Sequence, residues 1–190
     1  GGGGGGGRIA IYTHKYHQSE TLSIYAGASD NAAGNSEPGR LSKRFHELNG
    51  ITMNMHGSFG LVIDKSCILK MDLLNESFHR IAGVCEEAGH TDGTGLNVRI
   101  GNACSNIYLD PLSEAFGIFT DSEYHTIRKV ILKTGYVTTL SGIPGNSGDI
   151  DGDKHTAKFN KPSAIVIDPT GTFALVTDTG NQKLKKIIMK

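Results

Sequence analysis

Three aspartates recur at even intervals, each closing a short apolar run. Asp64 ends GLVID, Asp121 ends GIFTD and Asp178 ends ALVTD, 57 residues apart in both steps. A carboxylate at a strand end accepts backbone N–H groups of the following turn and so fixes a hairpin. Recurrence points to this structural work, because a reaction rarely needs its carboxylate once per repeat. A second acidic group, Asp149, Asp151 and Asp153 in DIDGD, has the clustered oxygens that hard cations favour. A calcium loop of the EF-hand kind needs a glutamate eleven residues after Asp149, and that position is Asn160. A turn is the plainer reading; calcium is the alternative, and no other cofactor is expected.

The remaining reactive side chains are scattered. The eight histidines are His14, His17, His46, His56, His79, His90, His125 and His155. They contain no His-Glu-x-x-His or other compact zinc spacing. His14 and His17, three apart, would point to opposite faces of a strand, whereas His46 and His56 flank one apolar run. Gly142 to Gly152 is glycine-rich but is followed by no Lys-Ser/Thr pair, so it reads as a loop rather than a phosphate cradle. A serine nucleophile elbow is likewise missing. Asn75-Glu76-Ser77 is an N-glycosylation sequon between two apolar runs.

Composition narrows the classes. Nineteen Lys+Arg offset nineteen Asp+Glu, and the only basic cluster of note is Lys183, Lys185 and Lys186. Nucleic-acid binders draw most of their affinity from neutralising phosphates, so a chain without a basic stripe is not expected to bind nucleic acid. No apolar run reaches the ~18–20 residues that cross a bilayer as a helix. Glycine accounts for 26 of 190 residues and punctuates short β-branched and aromatic runs, the pattern of many short strands joined by tight turns. The seven glycines at 1–7 fit neither a folded element nor a usual linker, and are set aside as unassigned or artificial sequence.

These short runs form a repeat of about 57 residues, visible when 21–76, 77–135 and 136–190 are aligned. Each unit opens on a strand ending in a small residue and glycine: LSIYAG, FHRIAG, VTTLSG. A polar glycine-rich loop follows, then an apolar anchor at Phe45, Ile100 or Phe159. Next come an apolar strand (51–55, 107–109, 165–167), the strand that ends in aspartate, and a third strand carrying basic residues. Four short strands per unit predict an all-β fold, a partial β-propeller with antiparallel four-stranded blades.

The third unit, VTTLSGIPGNSGDIDGDKHTAKFNKPSAIVIDPTGTFALVTDTGNQKLKKI, resembles an NHL repeat along nearly its whole length. The second, from FHRIAG through HTDGTG to FTDSEYHTIRKV, is similar but more divergent; the first keeps AG, Phe45, GITM and LVID but lacks the Asp-Gly pair. The resemblance spans residues 21 to 190. It implies a propeller, commonly six-bladed, that presents loops to a partner. It also implies that each AG-ending strand is the outermost strand of the preceding blade. On that basis 8–27 ends one blade, 45–83 and 100–142 are full blades, and 159–190 is an incomplete one. An arc with two open ends predicts a longer chain, or completion by neighbouring copies.

Two further expectations follow from the repeat. Cys85 and Cys104 align with Pro144 and Pro162 and bracket the long loop between blades, so a disulfide between them would staple its ends; two buried thiols are the alternative. Cys67 is then left over. The loops 28–44, 84–99 and 143–158 vary while the strands repeat, which is where binding surfaces arise. The expected function is a non-catalytic interaction or assembly module, extracellular or at the cell surface, with protein partners that include other copies of itself. The alternative implied by the resemblance is a metal-dependent lyase or hydrolase of the six-bladed class.

Overall fold

The computed structural model describes residues 25–26 and 45–189. The readings that fall on 1–24 and 27–44, His14 and His17 among them, lie outside these residues. Four antiparallel strands form the first blade: β1 (Leu48–Met53), β2 (Phe59–Asp64), β3 (Cys67–Asp72) and β4 (Ser77–Gly83). A two-residue strand, β5 (Gly93–Thr94), precedes the second blade, built from β6 (Cys104–Leu109), β7 (Phe116–Asp121), β8 (Thr126–Ile131) and β9 (Tyr136–Ser141). The third contains β10 (Pro162–Ile167), β11 (Phe173–Asp178) and β12 (Lys183–Ile188). The AG-ending strand β4 lies at the edge of its sheet, and the SG-ending strand β9 follows β8 as the fourth strand of its blade.

The second strand of the first two blades, β2 and β7, is buried along almost its whole length. That follows from a stack in which both faces of a sheet are covered, and explains why GLVID and GIFTD read as continuous apolar runs. The blades pack face to face through two cores. Leu61, Ile63, Ile68 and Ala82 of the first blade meet Ile107, Leu109, Phe119, Val130 and Val137 of the second. Ile118 and Ile127 of the second meet Phe159, Ile165, Ile167, Ala174 and Val176 of the third. Each fully buried Ile or Leu contributes roughly 1.5–3 kcal/mol relative to exposure, so these two cores dominate cohesion within the arc. Gly50 is required where the innermost strands approach, because a Cβ there would lie 2.6 Å from Asn106 Cα.

The architecture departs from the expectation in one respect. The loop after the first blade crosses to the second and adds β5 beside β9, making a five-stranded sheet. The same loop also touches the blade it leaves, since Gly83 donates its N–H to the Gly95 carbonyl at 3.3 Å. It therefore laces two blades together rather than hanging free.

The closing glycines have a specific physical role. Gly83 and Gly142 adopt φ of +79° and +99°, a region that L side chains rarely occupy. A Cβ on Gly83 would lie 2.5 Å from the Ser66 carbonyl oxygen. Gly83→Ala is therefore expected to destabilise the chain by roughly 1–3 kcal/mol, from backbone strain and the clash together. A denaturant midpoint unchanged in this variant would contradict the turn geometry.

Candidate functional site

The recurring aspartates occupy equivalent, fully buried positions, and their partners differ from the expectation. Asp64 accepts the N–H of His46 (2.7 Å) and of Glu47 (2.8 Å), Asp121 that of Gly101 (3.2 Å), and Asp178 that of Asn160 (2.6 Å). His46, Gly101 and Asn160 each follow the apolar anchor, at Phe45, Ile100 and Phe159 respectively. Each carboxylate thus ties the chain entering a blade to the end of that blade's second strand. A bond to the following turn is present only at Asp121, from the Tyr124 N–H at 3.3 Å; at Asp178 the turn contributes a side chain, with Asn181 Nδ2 at 2.7 Å.

Two blades place a cation beside this aspartate. Arg128 lies 3.6 Å from Asp121 and Lys185 lies 3.6 Å from Asp178. Both also donate to the carbonyl just before the anchor, Arg128 to Arg99 at 2.6 Å and Lys185 to Lys158 at 2.8 Å. Arg128 is wholly buried and reaches into the inter-blade loop as well, donating to the Thr91 carbonyl and to Asp92 Oδ1. Asp92 Oδ2 in turn accepts the Thr139 N–H at 2.8 Å, which holds the loop against β9. Burial raises the Asp121 carboxyl above its ordinary value, even though the Gly101 N–H and Arg128 act the other way. Burial also raises the Asp92 carboxyl, but hydrogen bonds from Thr139 and Arg128 outweigh this and hold it low. His90, tilted against the Tyr124 ring, is pushed down to about 4 by burial and then by the Arg128 charge.

The first blade is built differently. The register that pairs Arg128 with Phe119 and Lys185 with Val176 pairs Leu69 with Val62, so a leucine stands where the others carry a cation. Asp64 instead faces the His46 ring, with Nδ1 3.2 Å from Oδ2. Here the expected disulfide is corrected. Cys85 is bonded to Cys67, and Cys104 is a buried free thiol. The reason is the glycine turn: Gly83 pairs with Cys67, so Cys85, two residues on, is carried back over the start of β3. Cys104 begins the innermost strand of the second blade and is packed in the inter-blade core, where burial pushes its thiol well up. Among the described residues, a His46 ring nitrogen, an Asp64 oxygen and Cys85 Sγ lie within 4.8 Å of one another, a group the sequence reading missed. The signal available for it was the first repeat's leucine in place of Arg/Lys, together with a cysteine in that repeat, Cys67, and another, Cys85, two residues after the glycine that closes its blade.

Asp149, Asp151 and Asp153 do not converge as a cation loop. Asp149 is paired with Lys183 and Lys185, Asp151 lies 3.5 Å from Lys185, and Asp153 accepts the N–H groups of His155 and Thr156. The lysines that read as a solvated basic strand are thus the partners of this acidic loop. By repeat, Asp151-Gly152 is the counterpart of Asp92-Gly93. Asp92 is bonded to Thr139 of β9 and its side chain is 38% exposed, whereas the Asp151 side chain is 95% exposed beside β12, which pairs with no fourth strand among the described residues. A groove of about 700 Å³ runs between this loop and β12.

Among the described residues each outer face of the arc is covered in part: Val62, Leu69 and Met71 are buried on the first blade, while apolar side chains of β1 and β12 are exposed. Ile51 and Met53 are the register counterparts of Ile107 and Leu109, and of Ile165 and Ile167. Those four counterparts are buried, while Ile51 and Met53 are 62% and 60% exposed. At the other end Leu184, equivalent to the buried Ile68 and Ile127, is 66% exposed. Asn75 is exposed in the β3–β4 turn, where its side chain donates to Asp72 Oδ2 at 2.8 Å. No described helix is long and apolar enough to cross a membrane.

No protein-family profile matches the chain, and no curated protein resembles it in sequence. Solved structures do. An auxiliary nutrient binding protein from Bacteroides ovatus matches at TM-score 0.66 and 22% identity, over 80% of this chain and 39% of that one. A second auxiliary nutrient binding protein, from Bacteroides thetaiotaomicron, matches at TM-score 0.63 and 24% identity, over 72% and 36%. A putative phosphatase from the same organism matches at TM-score 0.65 and 22% identity, over 80% and 36%. The chain spans 36–39% of the length of these structures. The likeness carries the fold alone: this chain is an arc of a β-propeller.

Two measurements check the chemistry described. Denatured without reduction, the chain is expected to expose one reactive thiol, Cys104, and all three cysteines only after reduction; labelling of Cys85 before reduction would contradict the pairing. His90 stays neutral in the fold to about 4, against 6.5 when free, so between those values the unfolded chain binds the extra proton. Stability is therefore expected to be full above 6.5 and to fall as pH drops towards 4, and His90→Gln is expected to lose this component of the slope. An NMR titration of His90 near its free value would contradict the assignment.

Proposed function

We propose that this chain is an NHL-type arc of a six-bladed propeller that works as a non-catalytic binding and assembly module. Its open blade faces dock a further blade, and its glycine-rich loops meet a protein partner. The observation that supports this reading is the exposure of Ile51 and Met53 at positions that are buried in both of the other blades. A face built for blade-on-blade packing, in a register shared with its neighbours, is complementary to another blade of the same kind. Contiguous exposed apolar surface on a soluble fold marks an interaction site. The groove beside β12 adds an unpaired strand edge, a natural acceptor for an added strand. The Cys67–Cys85 disulfide and the exposed Asn75 sequon favour an oxidising, extracellular or cell-surface setting. No observation favours the hydrolase or lyase alternative.

Sedimentation of the 190-residue chain across a concentration range tests the reading. Head-to-tail association through the blade faces is expected, with Ile51→Lys and Leu184→Lys each raising the dissociation constant by roughly tenfold or more while leaving the β-sheet spectrum unchanged. A wild-type chain that stays monomeric at high concentration, with both faces exposed to solvent, overturns the assembly reading.

A further inference from the structure

In the first blade four potential metal ligands from three separated segments meet around one buried carboxylate. His46 precedes β1, Asp64 ends β2, Cys67 begins β3 and Cys85 follows β4. The His46 and Asp64 side chains are 8% and 2% exposed, and Cys67 is fully enclosed. A His46 ring nitrogen, an Asp64 carboxylate oxygen and Cys85 Sγ lie within 4.8 Å of one another, His46 Nδ1 is 3.2 Å from Asp64 Oδ2, and Cys67 Sγ is bonded to Cys85 Sγ. The ligand atoms of a tetrahedral zinc site are roughly 3–4 Å apart, so the donors already stand close to the required spacing. Cys67 lies outside that group of three, so on reduction its sulfur has to move in beside the other donors.

The comparison between blades gives this cluster an electrostatic reason. Asp121 and Asp178 each face a cationic side chain, Arg128 and Lys185. Asp64 is equally buried, yet Leu69 stands where the other two blades carry the cation, and the one ion-pair partner found for Asp64 among the described residues is the His46 ring. The first blade therefore holds a buried carboxylate without the fixed positive charge that its counterparts have, surrounded by soft and borderline donors. Oδ1 is occupied by the His46 and Glu47 N–H groups, which leaves Oδ2 facing the ring nitrogen at 3.2 Å. On the far side of the ring, the Glu86 carboxylate lies 3.9 Å from His46 Nε2.

We propose that Cys67, Cys85, His46 Nδ1 and Asp64 Oδ2 form a zinc site whose alternative state is the disulfide. A dithiol gives two electrons and two protons to the Cys67–Cys85 bond and becomes a cyclic disulfide, leaving two thiols. Zinc then binds as the thiols release their two protons to solvent; the two thiolates balance the ion's charge, and the metal gives Asp64 Oδ2 a coordination bond where Asp121 and Asp178 have Arg128 and Lys185. Disulfide and metal are mutually exclusive, so the redox state of the surroundings decides which of them pins the first blade. Cysteine, histidine and carboxylate together suit zinc, whereas calcium and magnesium require an all-oxygen set.

The test uses the full chain in a Cys104→Ser background, reduced with a dithiol and desalted anaerobically, then titrated with zinc sulfate or cobalt chloride. About one metal ion per reduced chain is expected, with none retained by the oxidised chain, and thiolate-to-cobalt charge-transfer bands with tetrahedral d–d intensity. Adding Cys67→Ser and Cys85→Ser together is expected to abolish binding, and His46→Asn, which keeps the backbone N–H to Asp64, to weaken it roughly 10–100-fold. Zinc is also expected to raise the melting temperature of the reduced chain but not of the double serine variant, a readout that holds even if the reduced chain is unfolded without metal. Reduced chain that binds no more zinc than the double serine variant overturns the site. Unchanged affinity in His46→Asn, or a cobalt spectrum without sulfur bands, overturns the proposed ligand set.

Discussion

The structure depends on a buried carboxylate that reaches from the end of one strand to the backbone where the chain enters a blade. At Asp64, Asp121 and Asp178 an N–H just past the apolar anchor meets a carboxylate oxygen inside the protein. Leaving either group unpaired there would cost the full desolvation penalty, so the bond fixes where each new blade begins relative to its second strand. It also holds the anchors: Ile100 and Phe159 are buried in the two inter-blade cores, and Phe45 packs edge-on against Phe78 at 5.4 Å. Register, core and loop departure all follow from one repeated hydrogen bond.

The second and third blades deal with this buried charge by adding a cation, and that choice sets the character of the loops. Arg128 reaches Asp121, two loop carbonyls and Asp92, so the loop before the second blade is tied down on both sides. A buried ion pair is weak as a source of net stability, but it specifies which groups must come together. Here it dictates the path of the 84–99 loop. Lys185 repeats the arrangement with Asp149, Asp151 and Asp178. The first blade has taken another route: with Leu69 in the cation's position, its carboxylate is enclosed by a histidine and a disulfide.

The same repetition makes the arc ends informative. Positions that are covered between blades are exposed at Ile51, Met53 and Leu184 among the described residues, so their exposure reflects position in the stack rather than a change in design. A propeller blade is stable as part of a stack, because each sheet has two apolar faces and cannot satisfy both alone.

The 57-residue recurrence, the glycine-ended strands and the aspartate-ended strands made the all-β, propeller-like fold legible in the sequence alone, because strand alternation and turn chemistry are local properties. The anchors Ile100 and Phe159 were legible as core for the same reason. The cysteine pairing was not: Cys85 has Cys67 and Cys104 at similar sequence distances, and only the backward turn at Gly83 decides between them. Nor was the fate of DIDGD, because the lysines that take up Asp149 come from a strand more than thirty residues on. The partners of the recurring aspartates were misplaced for a related reason, since local turn logic looks forward along the chain while the folded sheet brings a preceding segment back. What the tertiary structure alone decided is which distant groups share a buried site, and there charge and burial, not spacing, choose the partners.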